Sequence, residues 1–218
     1  LPDYIMKKEV HSMKVLLING SPHKNRCTFT ALSEIAKTLQ ECGVDSEIFH
    51  IGAAPIRGCM GCGGCAGKGK CIYEDTVNTA IEKAAEADGF IFGSPVHYAS
   101  AGGGITSFLD RMFYAGKSSM VYKPGAAVAS CRRAGSTATL DQLNKYFTIS
   151  NMPLVGSSYW NMVHGNTPEE VLQDKEGLQT MRNLARNMAW LLHCIQAGKE
   201  AGIHAPEPER GNTTNFIR

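Results

Sequence analysis

Apolar positions in this 218-residue chain follow two alternating patterns: short unbroken runs closed by turns, and longer stretches repeating every three to four residues. The first run, Lys14–Gly20 (KVLLING), has no polar alternation and predicts a strand buried on both faces. From Thr28 to Gly43, apolar Phe29, Leu32, Ile35, Ala36 and Leu39 fall at helical spacing, and Gly43 suits the helix end. Further strands are predicted at 46–51, 89–95, 125–130 and 152–156, with helices at about 75–87, 104–115, 137–148 and 175–201. Five strands with intervening helices predict a doubly wound, five-stranded parallel sheet in a three-layer α/β/α arrangement. Right-handed crossovers bring every strand-to-helix loop to one edge of such a sheet, where ligands bind.

Composition narrows the possibilities. A hydrophobic content of 43% is ample for one core. A net charge of +2 without a basic run argues against a nucleic-acid partner, and no apolar run of membrane-spanning length occurs. Residues 1–12 lack the apolar centre of a secretory signal and read as an N-terminal extension or expression remnant. Residues 13–201 read as the folded domain, and the Pro- and polar-rich 202–218 as a C-terminal tail. Cys27, Cys42, Cys131 and Cys194 are scattered, unlike a secreted disulfide framework, so a cytoplasmic location is expected.

Three loops at the predicted carboxyl edge are unusual. In Gly20–Thr28 (GSPHKNRCT), Ser21, His23, Asn25 and Thr28 crowd a helix start, where backbone N–H groups and the helix dipole favour an anion such as phosphate. The loop matches neither GxxxxGK[ST] nor GxGxxG. A capped turn with Thr28 as N-cap is the alternative. In Gly93–Gly104, Pro95, His97 and Tyr98 end a strand beside small residues, a setting that can hold a planar ring. In Ser130–Thr137, Ser130, Arg132, Gly135 and Ser136 offer hydroxyl, guanidinium and backbone donors. Together they describe one ligand with a phosphate and a polar-edged ring, as FMN is held by a flavodoxin-like sheet.

The stretches INGSPHKN, ADGFIFGSPVHYASAGGGITSFLDR and GKCIYED resemble the NAD(P)H-dependent FMN reductase group of flavodoxin-like proteins, over about residues 14–201. The run CMGCGGCAGKGKC resembles the iron–sulfur flavoprotein branch of that group, which implies that Cys59, Cys62, Cys65 and Cys71 hold a [4Fe–4S] cluster near the flavin. The spacing alone leaves a cluster, an empty thiol loop, zinc and a redox disulfide open. It fits structural zinc poorly, because zinc ligand pairs are usually a dozen or more residues apart. The resemblance implies that Cys27 joins the phosphate loop and Val96 the ring-contact loop; His23 and Cys27 stand where the group often has arginine, and asparagine or serine, respectively.

The resemblance implies an FMN-dependent oxidoreductase that moves electrons from NAD(P)H or a ferredoxin-type donor to a small-molecule acceptor. It also implies a homodimer or homotetramer. Alternatives are a cluster-free NAD(P)H:FMN or quinone reductase, and a non-enzymatic flavin carrier or redox sensor. No side chain is expected to act as acid or base, because the flavin carries the chemistry.

Overall fold

The computed structural model describes residues 12–212 and 214, so the expected extension, apart from Ser12, and the end of the tail lie outside the described residues. The chain forms β1 (Lys14–Asn19), α1 (Cys27–Glu41), β2 (Asp45–His50), α2 (Thr76–Glu86), β3 (Gly89–His97) and β4 (Ser100–Ala101). These are followed by α3 (Gly103–Gly116), β5 (Gly125–Cys131), α4 (Ser136–Thr148), β6 (Met162–His164), α5 (Pro168–Gln173) and α6 (Lys175–Glu200). The strand order is β2-β1-β3-β5-β6, with β4 paired antiparallel to β3. All pairs along the main path are parallel, as expected.

The unbroken apolar runs have a direct cause: alternate residues of each central strand enter different cores. Leu16, Ile18, Phe90 and Phe92 pack with Val77, Ile105, Phe108 and Met112 of α2 and α3. Val15, Leu17, Ile91 and Val128 pack with Leu32, Ile35, Met181 and Met188 of α1 and α6. Phe92 stacks on Phe147 at 4.8 Å between ring centroids, which seats α4 on the first face.

The fifth strand departs from expectation. Residues 152–156 make only a bridge between Leu154 and Gly125, while the ladder with β5 is completed by Met162–His164. Pro153 has no N–H to donate, so it contributes its carbonyl, which accepts from the Gly125 amide at 2.9 Å. The chain then leaves the sheet and returns at Asn161, whose carbonyl accepts from Ala129. Helix α5 was also not expected, although its signals are present. The Thr167 side chain caps it and Pro168 occupies its first turn.

Candidate functional site: a carboxyl-edge cleft and a cysteine pocket

Loop one turns sharply because Asn19, fully buried at the end of β1, braces it from within. Its side-chain oxygen accepts from the Ser21 amide at 3.1 Å, and its nitrogen donates to the Lys24 carbonyl at 3.0 Å. His50, at the end of β2, donates to the Ser21 carbonyl at 2.9 Å. Gly20 passes so close to β3 that a Cβ there would sit 2.7 Å from Ile105 and 2.8 Å from the Gly93 carbonyl oxygen.

Helix α1 begins at Cys27, with Arg26 rather than Thr28 at the N-cap. Arg26 is extended, no side chain caps the helix, and the first turn carries no acid. The opening amides therefore face outward with the positive end of the helix dipole, the arrangement an anion requires. The Ser21 hydroxyl accepts from the His23 amide at 3.1 Å, which leaves its own proton free to donate.

These groups open on a cleft of about 310 Å³ that brings together most of the expected residues. Ser21, His23, Cys27 and Thr28 come from loop one, Pro95, Val96 and His97 from the end of β3, and Ser130 and Arg132 from the end of β5. Burial raises the pKa of both the Cys27 and Cys131 thiols, so both stay neutral at pH 7. Four lining residues were not singled out from the sequence: Arg26, Cys131, Gly165 and Asn166. Arg26 and Cys131 lie inside the expected loops. Gly165 and Asn166 follow β6, and placing the last strand at 152–156 hid them.

Other expected residues lie around the cleft. Asn25 is exposed and does not line it. Tyr98 lines an adjoining hollow of about 270 Å³ with Val96, Arg132 and Arg133. The segment read as a loop is a tight hairpin, with His97 paired to Ser100 and both turn residues at positive φ, Tyr98 at 49° and Ala99 at 57°. Gln142 of α4 pins it, accepting from the Ser100 hydroxyl at 2.6 Å and the Ala101 amide at 3.0 Å. Tyr98 projects fully into solvent at the tip. Gly135 packs beneath the hairpin with φ +91°, and Ser136 is buried as the first residue of α4.

Cys59, Cys62, Cys65 and Cys71 line one pocket of about 230 Å³ with Met60, Ile72, Tyr73, Arg111 and Tyr114. The loop leaves the sheet at the same edge as the cleft. The thiols, however, pack beside Arg111 and Tyr114, and Arg111 lies about 12 Å along α3 from Gly103 at 1.5 Å per residue. All eight cysteines are free, and among the described residues no three metal-ligating side chains converge closely enough to hold an ion. The donor set nevertheless suits a thiolate-bound cluster: four thiols around one concavity, with Gly61 and Gly63 at positive φ and open space where a Cβ would stand.

A sheet of order β2-β1-β3-β5-β6, which is 2-1-3-4-5 when the five parallel strands alone are counted, with an anion cradle at its carboxyl edge defines a flavodoxin-like α/β protein. The sequence model described as NADPH-dependent FMN reductase matches residues 13–167, and the chain belongs to that family of flavodoxin-like, FMN-binding oxidoreductases. It is 31% identical over 196 residues to an iron-sulfur flavoprotein of Methanocaldococcus jannaschii, covering 84% of this chain and all of that one. An iron-sulfur flavoprotein of Archaeoglobus fulgidus is 24% identical over 197 residues, covering 82% of this chain and 97% of its own. The fold is similar to that of RosB, solved with bound 8-demethyl-8-formylriboflavin-5′-phosphate (TM-score 0.66, 13% identity, 95% of this chain and 94% of that one). It is also similar to an NAD(P)H:quinone oxidoreductase from Methanothermobacter marburgensis (TM-score 0.62, 15% identity, 81% and 97%). Among the described residues no helix is long and apolar enough to cross a membrane.

Proposed function

We propose that this protein is an FMN-dependent oxidoreductase of the iron–sulfur flavoprotein kind. Its electrons come from NAD(P)H or a ferredoxin-type donor and go to a small acceptor, through FMN and a [4Fe–4S] cluster. The observation that carries the flavin site is the uncapped N-terminus of α1 opening into a cleft walled by the ends of β3 and β5. The cluster rests on the four thiols around one pocket and on the kinship with proteins named iron-sulfur flavoproteins.

FMN supplies two-electron hydride chemistry whose electrons can be released singly, and a cluster supplies one-electron transfer. The protein's own residues bind and orient. The first amides of α1 and the Ser21 hydroxyl donate to the phosphate, and Arg26 and His23 stand beside them. Cys27, held neutral by burial, places no negative charge against that phosphate. Pro95–Tyr98 and Ser130–Ser136 flank the ring, with backbone and Arg132 donors at its polar edge. The thiolates of Cys59, Cys62, Cys65 and Cys71 are the cluster ligands. Tyr98, exposed at its hairpin tip, is the residue placed to meet the ring or an incoming acceptor.

Replacing Ser21 and Thr28 together by alanine should weaken FMN binding at least tenfold, the effect of losing about 1.4 kcal/mol of phosphate contacts, while riboflavin affinity changes little. Equal losses for both ligands would put the phosphate elsewhere. Anaerobic reconstitution should give about four iron and four sulfide per chain. Iron-free protein after that treatment would remove the cluster and leave the flavin site standing.

A further inference from the structure

The four thiols of the cysteine loop are held unequally. Cys59 and Cys62 are exposed, on backbone that turns at Gly61 and Gly63. Cys65 is partly covered, its sulfur 3.7 Å from the Tyr114 carbonyl oxygen. Cys71 is gripped from three directions. Its amide donates to the Asn78 side-chain oxygen at 2.8 Å, its carbonyl accepts from the Asn78 side-chain nitrogen at 3.0 Å, and its sulfur accepts from Arg111 Nε at 3.3 Å.

Arg111 is an unusual residue to find there. It is 2% exposed and the largest of the fully buried side chains. A buried guanidinium must have every donor paired, and this one does. Two N–H groups donate to the Asp75 carboxylate at 2.6 and 2.9 Å, one to the Arg57 carbonyl at 3.4 Å, one to the Tyr73 carbonyl at 3.2 Å, and the fifth to the Cys71 sulfur. Arg57 precedes Cys59 by two residues and Tyr73 follows Cys71 by two. A single planar fork therefore ties the entry of the cysteine loop to its exit. Tyr73 adds to the joint, with its ring 4.9 Å from the Arg57 guanidinium and 5.4 Å from that of Arg111.

We propose that Arg111 is the positioning residue of the cysteine loop: it closes the loop, fixes Cys71 as the one pre-set thiol, and aims an N–H at the sulfur. The other three thiols then close onto their ligand from a hinged arm. As a statement about cluster ligation this rests on the iron–sulfur reading, whereas the anchoring of Cys71 does not. An N–H donor to a ligand sulfur stabilises the more negative, reduced state, so Arg111 also raises the potential of a cluster held there.

Arg111→Lys tests this, because an ammonium can still pair with Asp75 but cannot reach five acceptors from one plane. In metal-free protein, alkylation of each cysteine is followed by mass spectrometry on its high-pH plateau, where every thiol is ionised and only access differs. Cys71 should react roughly tenfold more slowly than Cys59 and Cys62. R111K should close that gap while leaving the Cys59 rate unchanged. A Cys71 as fast as its neighbours in the parent protein, or a gap that survives R111K, overturns the anchor. Should R111K fail to fold, Asp75→Asn keeps a good helix cap while loosening the guanidinium, and the gap should again narrow. An unchanged gap in D75N overturns the anchor equally.

That experiment needs no iron, so its failure is separate from failure of the cluster, which iron and sulfide analysis reads. In anaerobically reconstituted protein, a potentiometric titration followed by EPR should show the cluster midpoint shifted downward in R111K and the flavin couple unmoved. An unshifted cluster midpoint would overturn the role of the Arg111–sulfur contact.

Discussion

At the scale of single residues, the cleft depends on backbone that ordinary side chains resist. Gly135 has φ +91°, and a Cβ there would sit 2.6 Å from the Ala99 Cα. Gly135→Ala should therefore lose about 1–3 kcal/mol in urea unfolding and weaken FMN binding by displacing the hairpin. Ala99, at φ 57°, pays a left-handed penalty that glycine would not. Ala99→Gly should therefore stabilise by roughly 1 kcal/mol, less the extra chain entropy of glycine. Like effects from both substitutions would contradict a strained hairpin resting on Gly135. The Cys27 thiol gives the site one source of alkaline pH dependence. Burial raises its folded pKa above the ordinary thiol value. Its contribution to stability is fully present below the unfolded pKa and is lost as pH rises through the folded one. Over that alkaline range the thiolate also repels phosphate, so FMN affinity should fall with rising pH while riboflavin affinity holds. In Cys27→Ser that alkaline fall should shrink to the part contributed by Cys131, the other raised thiol lining the cleft. A fall of equal size in both proteins would clear Cys27 of contact with the phosphate.

At the scale of elements, the strands and helices that fill the two cores were legible because their apolar spacing is the cause of their burial. Leu16 and Leu17 face opposite cores, so the KVLLIN run has to be apolar throughout. Three features escaped for physical reasons. The last strand is split around Gly156–Asn161, and Met162–His164 is too short to show a period. The hairpin at Tyr98–Ala99 lacks the glycine or asparagine that usually marks such a turn, because Gln142 and Gly135 hold it from outside. The Arg111 network joins residues 54 positions apart, and no local pattern reports that. The cleft residues, by contrast, followed from the fold once the loops were assigned to one edge. The edge pair β1–β2 carries its own pH signature. Lys83 at 2.6 Å and Lys14 at 2.9 Å hold the Glu47 carboxyl below the usual carboxylate range. A depressed carboxyl gives stability that is present above its unfolded pKa and lost as pH falls through the folded one. The acid limb of the parent's stability curve should accordingly be steeper than that of Glu47→Gln, when both are followed by denaturant unfolding from pH 6 to pH 3. Identical acid limbs would show that solvent screens the pair completely.

At the scale of the whole molecule, the two candidate centres are coupled to folding in different ways. The cleft proposed for FMN is built from the loops after β1, β3, β5 and β6, which sit on four neighbouring strands of one sheet. A ligand there contacts groups that come together only when the sheet is complete, so its binding energy adds to global stability. At a hundred times its dissociation constant FMN should add about 2.7 kcal/mol, which for a chain of this size raises the thermal midpoint by about 5–10 °C. The cysteine loop belongs to the β2–α2 connection, and Cys59, Met60, Gly61 and Cys62 are exposed. Its two ends are joined through Arg111 and Asn78, by hydrogen bonds between protein groups that involve none of the Cys59, Cys62 and Cys65 thiols. Cys62→Ala should thus abolish iron binding while leaving the FMN-dependent rise in midpoint intact and the metal-free midpoint within about 1–2 °C of the parent, the shift that about 0.5 kcal/mol gives. Scanning calorimetry on the four combinations, with and without FMN and with and without Cys62, separates the two contributions. A large drop in the metal-free midpoint of Cys62→Ala would show that this thiol supports the fold itself, and the loop would no longer be an independent arm.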